Sequence, residues 1–186
     1  MTPPTRPEFV VDTSRLRLRQ LTPDDAQFIL ELVNDLDWIL YIGDRGVHDL
    51  NDARQYVTDG PMASYERHGF GLYLVTLRAQ ATPIGICGLI QRESLPAPDL
   101  GFAFLPPFRR MGYASEAADA IVRVAPQIAG ATELFAVVQP DNARSFRLLD
   151  RLGFRPAGVT QLVPDGPQLA LLSISVGGVA ERPLRP

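Results

Sequence analysis

The chain contains no lysine; all eighteen of its basic residues are arginine. That absence excludes a P-loop lysine, a Schiff-base lysine and the strand lysine of protein kinases. Any phosphate must therefore be held by backbone N–H groups and guanidinium forks. Genomic base composition accounts for the absence, and the exclusions hold either way. Cysteine is almost as scarce. Cys87 stands alone, which excludes an internal disulfide and any multi-cysteine zinc site. The two histidines, His48 and His68, are far apart and lack metal-ligand spacing, so no metal is expected. No apolar run is long enough to cross a bilayer, and no signal-peptide core is visible near Met1. A cytoplasmic protein without membrane partners is the expectation. The formal net charge of −3 speaks against a general nucleic-acid binder, although a local basic patch stays open.

What is present suits one folded domain. A length of 186 residues with 46% hydrophobic content is enough for a proper core. The chain is organised around Phe102 to Ala117. An apolar, aromatic run ends at Pro106-Pro107, which cannot continue a ladder. Arg109, Arg110, Met111, Gly112, Tyr113, Ala114 and Ser115 follow. Then Ala114, Ala117, Ala118, Ile121, Val122 and Ala125 mark one face of a helix. A strand leading through small residues onto a helix N-terminus can bind an anion, because free N–H groups and the positive end of the dipole point outward. Alternatively, Gly112 only makes a tight strand–helix turn.

The remaining elements read in order. Residues 1–12 are Pro-rich and expected to be loose, as are residues 177–186. Leu16, Leu18 and Leu21 alternate with Arg15, Arg17 and Arg19 as a half-buried strand. Thr22-Pro23-Asp24-Asp25 starts a helix whose stripe is Ala26, Ile29, Leu30 and Val33. Residues 35–46 read as irregular. A second helix spans about residues 50–58, with Leu50, Ala53 and Val57 inward, and Asp59-Gly60-Pro61 breaks it. Strands follow at 70–77, 83–90 and 99–105, with glycines inside the second marking a close backbone approach or a bulge. After the long helix come a strand at 134–138 and a helix capped by Asn142. That helix ends at Gly153, where Phe154 folds back on Leu149 as in a Schellman cap. A hairpin over 154–162 and 168–176 closes the domain, expected to span residues 13–176.

Arg109-x-x-Gly112-x-Ala114 resembles the R/Q-x-x-G-x-G/A signature of the GNAT superfamily of acyl-CoA N-acyltransferases. Further stretches resemble its RimJ/RimL-type branch: Gly60-Pro61-x-x-Ser64-Tyr65 with Gly69-Phe70-Gly71-Leu72; Pro83 to Ile90; Asp99 to Pro106; and Asn142-x-x-Ser145-x-x-Leu148-Leu149-x-x-Leu152-Gly153-Phe154. The resemblance implies an α+β fold with a mixed, mostly antiparallel sheet of about seven strands and about four flanking helices. It implies transfer of an acetyl group from acetyl-CoA, as co-substrate, to a primary amine by direct attack. Coenzyme contacts would come from the loop Arg109, Arg110, Met111, Gly112, Tyr113, Ala114 and Ser115. The backbone near Phe102 and Phe104, together with Asn142 and Phe146, would line the pantetheine arm; alternatively the side chains of Phe102 and Phe104 pack the core, Asn142 is a helix cap and Phe146 a core aromatic, and both roles can hold at once.

One departure stands out. Many members carry a tyrosine seven residues after this asparagine, as proton donor to the leaving thiolate; this chain has Leu149. Ser145 is the nearest hydroxyl and the candidate acid, or it merely supports its helix N-terminus. Asp99 is the candidate base, with Glu93 a weaker one, and either can equally be an ordinary turn acid. The chemistry is modest for an α-amine, which at pH 7 is roughly a seventh neutral; a lysine amine is neutral in about four molecules per ten thousand. Trp38, Tyr41, Asp35, Asp37, Asp44 and Asp165 lie in the segments that would meet the acceptor; the aromatics would line a pocket or pack the helix pair, and the acids would attract a cationic amine or simply be solvated. Two other readings are a non-catalytic acyl-CoA-binding module and an unrelated nucleotide-binding domain. The lack of a G-x-G-x-x-G fingerprint opposes the latter.

Overall fold

The computed structural model describes residues 9–176. Their strands form one eight-stranded sheet in the order β1-β2-β3-β4-β5-β6-β8-β7. In chain order they are β1 (Phe9–Asp12), β2 (Leu16–Gln20), β3 (Leu72–Leu77), β4 (Pro83–Ile90), β5 (Asp99–Phe104), β6 (Glu133–Val138), β7 (Arg155–Thr160) and β8 (Leu169–Ser175). Every neighbouring pair is antiparallel except β5–β6, which is parallel. The mixed, mostly antiparallel sheet of the α+β expectation is observed, with one strand more. The extra strand is β1. The expectation of a loose segment through Asp12 is corrected there, because Val11 and Asp12 pair with Leu18 and Arg17. Asp12 accepts both a 2.8 Å and a 2.7 Å hydrogen bond from Arg17, a bidentate fork across the hairpin. The rest of both expected tails lies outside the described residues.

The helices are α1 (Ala26–Val33), α2 (Leu36–Tyr41), α3 (Leu50–Val57), α4 (Ala63–His68), α5 (Tyr113–Ala129) and α6 (Ala143–Leu152). Two sequence expectations fail in the N-terminal half. Residues 36–41 are helical, not irregular; Asp35 caps them by accepting from Asp37 N. The chain at Asp59-Gly60-Pro61 is not broken either. A π-turn over Thr58–Met62 carries α3 into α4. The wider turn accommodates a proline ring and its missing N–H, which a regular α-turn cannot. Leu50 faces outward at 37% exposure, while Ala53 and Val57 are buried as expected. Asp49 and Asp52 form a reciprocal capping box there, so polar capping rather than burial fixes the start of α3.

Two apolar layers cover the sheet. One face carries α5, whose Ala117, Ala118, Ile121 and Ala125 are fully buried against Leu16, Leu18, Tyr73 and Cys87. The other carries α1 to α3, with Ile29, Leu32, Trp38 and Val57 over Leu74 and Ile86. The glycines of β4 have a direct cause: a Cβ on Gly88 would stand 2.1 Å from Gly71 O. Leu89 N–H donates to the same carbonyl at 3.1 Å. At the end of α6, Gly153 has φ +99°, and Phe154 N–H returns to Leu149 O at 3.0 Å. This is the expected Schellman-type closure, with Phe154 buried behind it.

Candidate active site

The sheet opens in one place. β4 and β5 share six register pairs, whereas β5 and β6 share one, Asp99↔Phe135. Beyond that pair the two parallel strands diverge. Phe135 N–H donates to Pro98 O at 2.9 Å, and Leu105 N–H to Ile84 O at 3.0 Å. Because strand residues alternate, odd-numbered residues of β5 bond to β4, and the backbone groups of Phe102 and Phe104 face the gap. A cleft of about 920 Å³ runs along it.

At the open end, β5 feeds through a short 3₁₀ turn, Pro106–Phe108, into the loop before α5. Two residues of this loop are left-handed, Arg110 at φ +62° and Gly112 at φ +83°. The latter is the glycine's physical requirement, since most side chains strain there. The first α-turn bond is Glu116 N–H to Gly112 O, 3.0 Å. The N–H groups of Gly112, Tyr113, Ala114 and Ser115 therefore have no acceptor among the described residues, and they form the positive end of a 17-residue helix. Gly112, Ala114, Ser115 and Arg110 line the cleft. Met111 and Tyr113 do not; Met111 O accepts from Arg15 Nη1 at 3.0 Å, and the Arg15 guanidinium lies 4.5 Å from the centre of the Tyr113 ring.

Glu116 fastens this loop from behind. It accepts from Thr13 Oγ1 at 2.5 Å, Ser14 Oγ at 3.1 Å, Arg15 N at 3.0 Å and Arg15 Nε at 2.6 Å. Burial pushes its pKa upward, but the bonds from Thr13 and Arg15 outweigh that and hold it below the usual range.

Arg109 behaves unlike the other loop residues. Its Nε donates to Phe104 O at 2.8 Å, its Nη1 to Asp37 Oδ2 at 2.9 Å, and its Nη2 pairs with Asp35. Its amide closes the 3₁₀ turn on Pro106 O at 3.2 Å. The side chain thus braces the loop against α2 instead of projecting over the free amides. Arg144 also reaches Asp37 Oδ2, at 2.7 Å. Sequence reasoning left Asp35 and Asp37 as solvated acids or amine attractors, and the structure gives both to arginines. No local signal pairs residues seventy or more positions apart.

Across the gap, Asn142 caps α6 by accepting from Ser145 N at 3.1 Å. Asn142 and Ser145 line the cleft, and the Ser145 hydroxyl has no hydrogen-bond partner among the described residues. Phe146 is placed differently. It packs against the core under α5 and is absent from the cleft lining. Arg144, Arg147 and Arg151 also line the cleft; their i, i+3, i+7 spacing was the overlooked signal. Eight arginines and four aspartates line it altogether, an excess of four positive charges in a chain of net charge −3. Such a field suits a polyanionic ligand.

Asp99 sits where the strands still pair, 2% exposed, with Arg92 Nε donating to Oδ1 at 2.8 Å. Burial raises its pKa above the usual carboxylate range, and the Arg92 guanidinium reverses part of that rise. Glu93 is exposed and lies outside the cleft lining. Trp38 and Tyr41 line the far end with Tyr56 and Ser64; Asp44 instead accepts from Gly46 N at 2.7 Å, and Asp165 lies away from the cleft. Trp38 is 4% exposed, and its Nε1 is buried without a partner among the described residues. Cys87 is wholly buried, and burial pushes its thiol pKa up, so it is no nucleophile. Among the described residues no cluster of three or more His, Cys, Asp or Glu could hold a metal, and no helix is long and apolar enough to cross a membrane.

A mixed sheet that splays between two parallel strands, with free helix-N-terminal amides at the mouth, is an α+β fold with a cleft suited to a polyanionic ligand. The family model for acetyltransferase (GNAT) domains matches residues 15–155, so the chain belongs to the GNAT family and is an N-acetyltransferase. It is 28% identical over 157 residues to the uncharacterised N-acetyltransferase YnaD of Bacillus subtilis (strain 168), covering 84% of this chain and 89% of the relative. Among solved structures, a GNAT-family acetyltransferase from Bacillus anthracis aligns with TM-score 0.75 at 24% identity, over 91% of this chain and 99% of that one. RimL, a ribosomal-protein α-N-acetyltransferase solved in complex with coenzyme A, aligns with TM-score 0.73 at 18% identity, over 90% and 98%.

Proposed function

We propose that the chain transfers the acetyl group of acetyl-CoA to a primary amine by direct attack in a ternary complex. The observation that carries this reading is the single-pair splay of β5 and β6 with four unbonded amides, Gly112 to Ser115, at its open end. The coenzyme pyrophosphate would accept from those amides. Pantetheine would extend the sheet through the backbone of Phe102 and Phe104. Arg109 takes the Phe104 carbonyl, which leaves the Phe104 N–H and both backbone groups of Phe102 for the coenzyme. Of the residues expected to touch it, Phe102, Phe104, Arg109, Arg110, Gly112, Ala114, Ser115 and Asn142 stand on the lining, with Arg109 committed to Asp35 and Asp37, whereas Met111, Tyr113 and Phe146 lie off it.

The amine nitrogen bonds to the thioester carbon, the carbon–sulfur bond breaks, and the nitrogen loses a proton. Ser145, with its hydroxyl unpartnered on the lining, protonates the departing thiolate directly or through water. Asp99, with its raised pKa, collects the amine proton through water. Approximation of the two substrates supplies most of the acceleration.

The acceptor is an α-amine of a peptide or small molecule. Asp35 and Asp37 are neutralised by Arg109 and Arg144, and Asp99 by Arg92, so the cleft holds little free negative charge to gather a polycation. The fold likeness to RimL favours a protein N-terminus among these acceptors. Thermal unfolding tests the coenzyme site. Acetyl-CoA at 100 times its dissociation constant adds about 2.7 kcal/mol. That is roughly 5 to 11 °C for a domain of this size, and ATP and NAD should not reproduce it. Thiol release with a panel of amines then tests transfer. A shift without turnover on any amine would leave a coenzyme-binding module, and no shift would overturn both.

A further inference from the structure

The two arms of the splay are bonded to each other once, at their closed end. At the open end the sheet supplies no cross-link, yet one side chain spans the opening. Asp37, on α2, accepts from Arg109 Nη1 at 2.9 Å and from Arg144 Nη1 at 2.7 Å through the same Oδ2. Arg109 belongs to the β5 arm and holds its last carbonyl, that of Phe104. Arg144 belongs to the β6 arm, in the first turn of α6, directly before Ser145. Asp35 strengthens the β5 side by a second pair with Arg109. Asp37 is 32% exposed and Arg109 25%, so both are shielded from solvent more than an ordinary surface pair.

We infer that Asp37 is a positioning residue. It sets the width of the cleft at its open end and so places Ser145 opposite the coenzyme amides. It also brings the acceptor side into register, because its neighbour Trp38 is buried under the same helix. Without its carboxylate, two guanidinium groups face each other across the opening and repel. The inference rests on the transfer reading for its catalytic consequence, but the geometric part stands apart from it.

Two measurements decide the matter. Spin labels on Pro107→Cys and Asp141→Cys, both exposed and one on each arm, report the width of the opening; Cys87 is fully buried and escapes labelling. The distance distribution should move outward and broaden in Asp37→Asn and stay near wild type in Asp37→Glu. Turnover should fall about ten- to hundredfold in Asp37→Asn while acetyl-CoA affinity is largely kept, because misplacement by an ångström costs that much. A purely structural role would lower melting temperature without this split. Arg144→Gln, at a 54%-exposed side chain, removes one link if Asp37→Asn folds poorly, and the double variant should be no worse than the single ones. An unchanged distance distribution overturns the inference, as does a widened one with unchanged turnover. If the wild type acetylates no amine, the transfer reading fails and the distances alone decide.

Discussion

The two walls of the cleft are built by different means. The wall proposed to hold the coenzyme offers backbone amides at the start of α5, exposed by one left-handed glycine and fastened from behind by Glu116. The wall proposed to meet the acceptor offers side chains of α2, α3 and α4, held by long-range ion pairs and by a π-turn around Pro61. A backbone site demands few residue identities and demands them strictly. A side-chain site can be lined by many residue types, and its shape depends on how distant segments dock.

Breaking the contrast begins at Ser145, which lines the cleft between them. Ser145→Ala should lower kcat by about a hundredfold or more, the usual contribution of a positioned proton donor. Steady-state kinetics should show the coenzyme KM retained, and an unchanged kcat would remove the assignment. Gly112→Val comes next and should touch the coenzyme wall alone. The substitution forces a β-branched residue to φ +83° and sets a Cβ 3.2 Å from Arg15 Nη2. A cost of about 1–3 kcal/mol predicts roughly a ten- to hundredfold loss of acetyl-CoA affinity. Calorimetry reporting wild-type affinity would show that the amides are not the anchor.

Asp99 sharpens the comparison through pH. Because burial raises its pKa, the acid limb of the kcat/KM profile should lie above the ordinary carboxylate range of about 4. Asp99→Asn should abolish that limb; an unmoved limb assigns it elsewhere. The same shift makes burial of the charged form unfavourable, so the stability contribution of Asp99 is complete below its ordinary pKa and lost as pH rises through the raised one. Glu116 behaves oppositely, and its effect is on stability. Its lowered pKa means stability present above the ordinary value of 4.5 and lost as pH falls through the depressed one. Glu116→Gln should cost about 1–3 kcal/mol near neutral pH, and denaturant titrations should show a flatter acid decline. Equal stability at pH 7 would mean the fastening is incidental.

Most of the sheet was legible. Alternation marked Leu16 and Leu18 in β2, glycines in β4 pointed to a close approach or a bulge, of which the approach of Gly71 is observed, and Gly153-Phe154 announced the end of α6. The N-terminal helices were less so. Residues 36–41 read as irregular because Asp, Leu, Trp and Ile in that run show no polar face; its outer residues, Leu36 and Leu40, are 84% and 60% exposed. Residues 9–12 read as a loose end because their partner strand is set by the hairpin's cross-strand Asp12–Arg17 fork, not by alternation of their own. In the site, the loop around Gly112 and the cap at Asn142 were visible as local motifs. The commitment of Arg109 to Asp35 and Asp37 was not.

By itself the sequence determined the chemistry that lysine and cysteine could not perform, the order of most elements and the backbone turn that exposes the helix amides. Those properties are local: φ preferences, missing donors and side-chain periodicity act within a few residues. Only the tertiary structure decided that β5 and β6 part after one pair, which of its two readings Phe146 takes, and that Asp37 bridges the opening. Each of these depends on which distant surfaces meet, and close packing selects those partners over the whole chain at once.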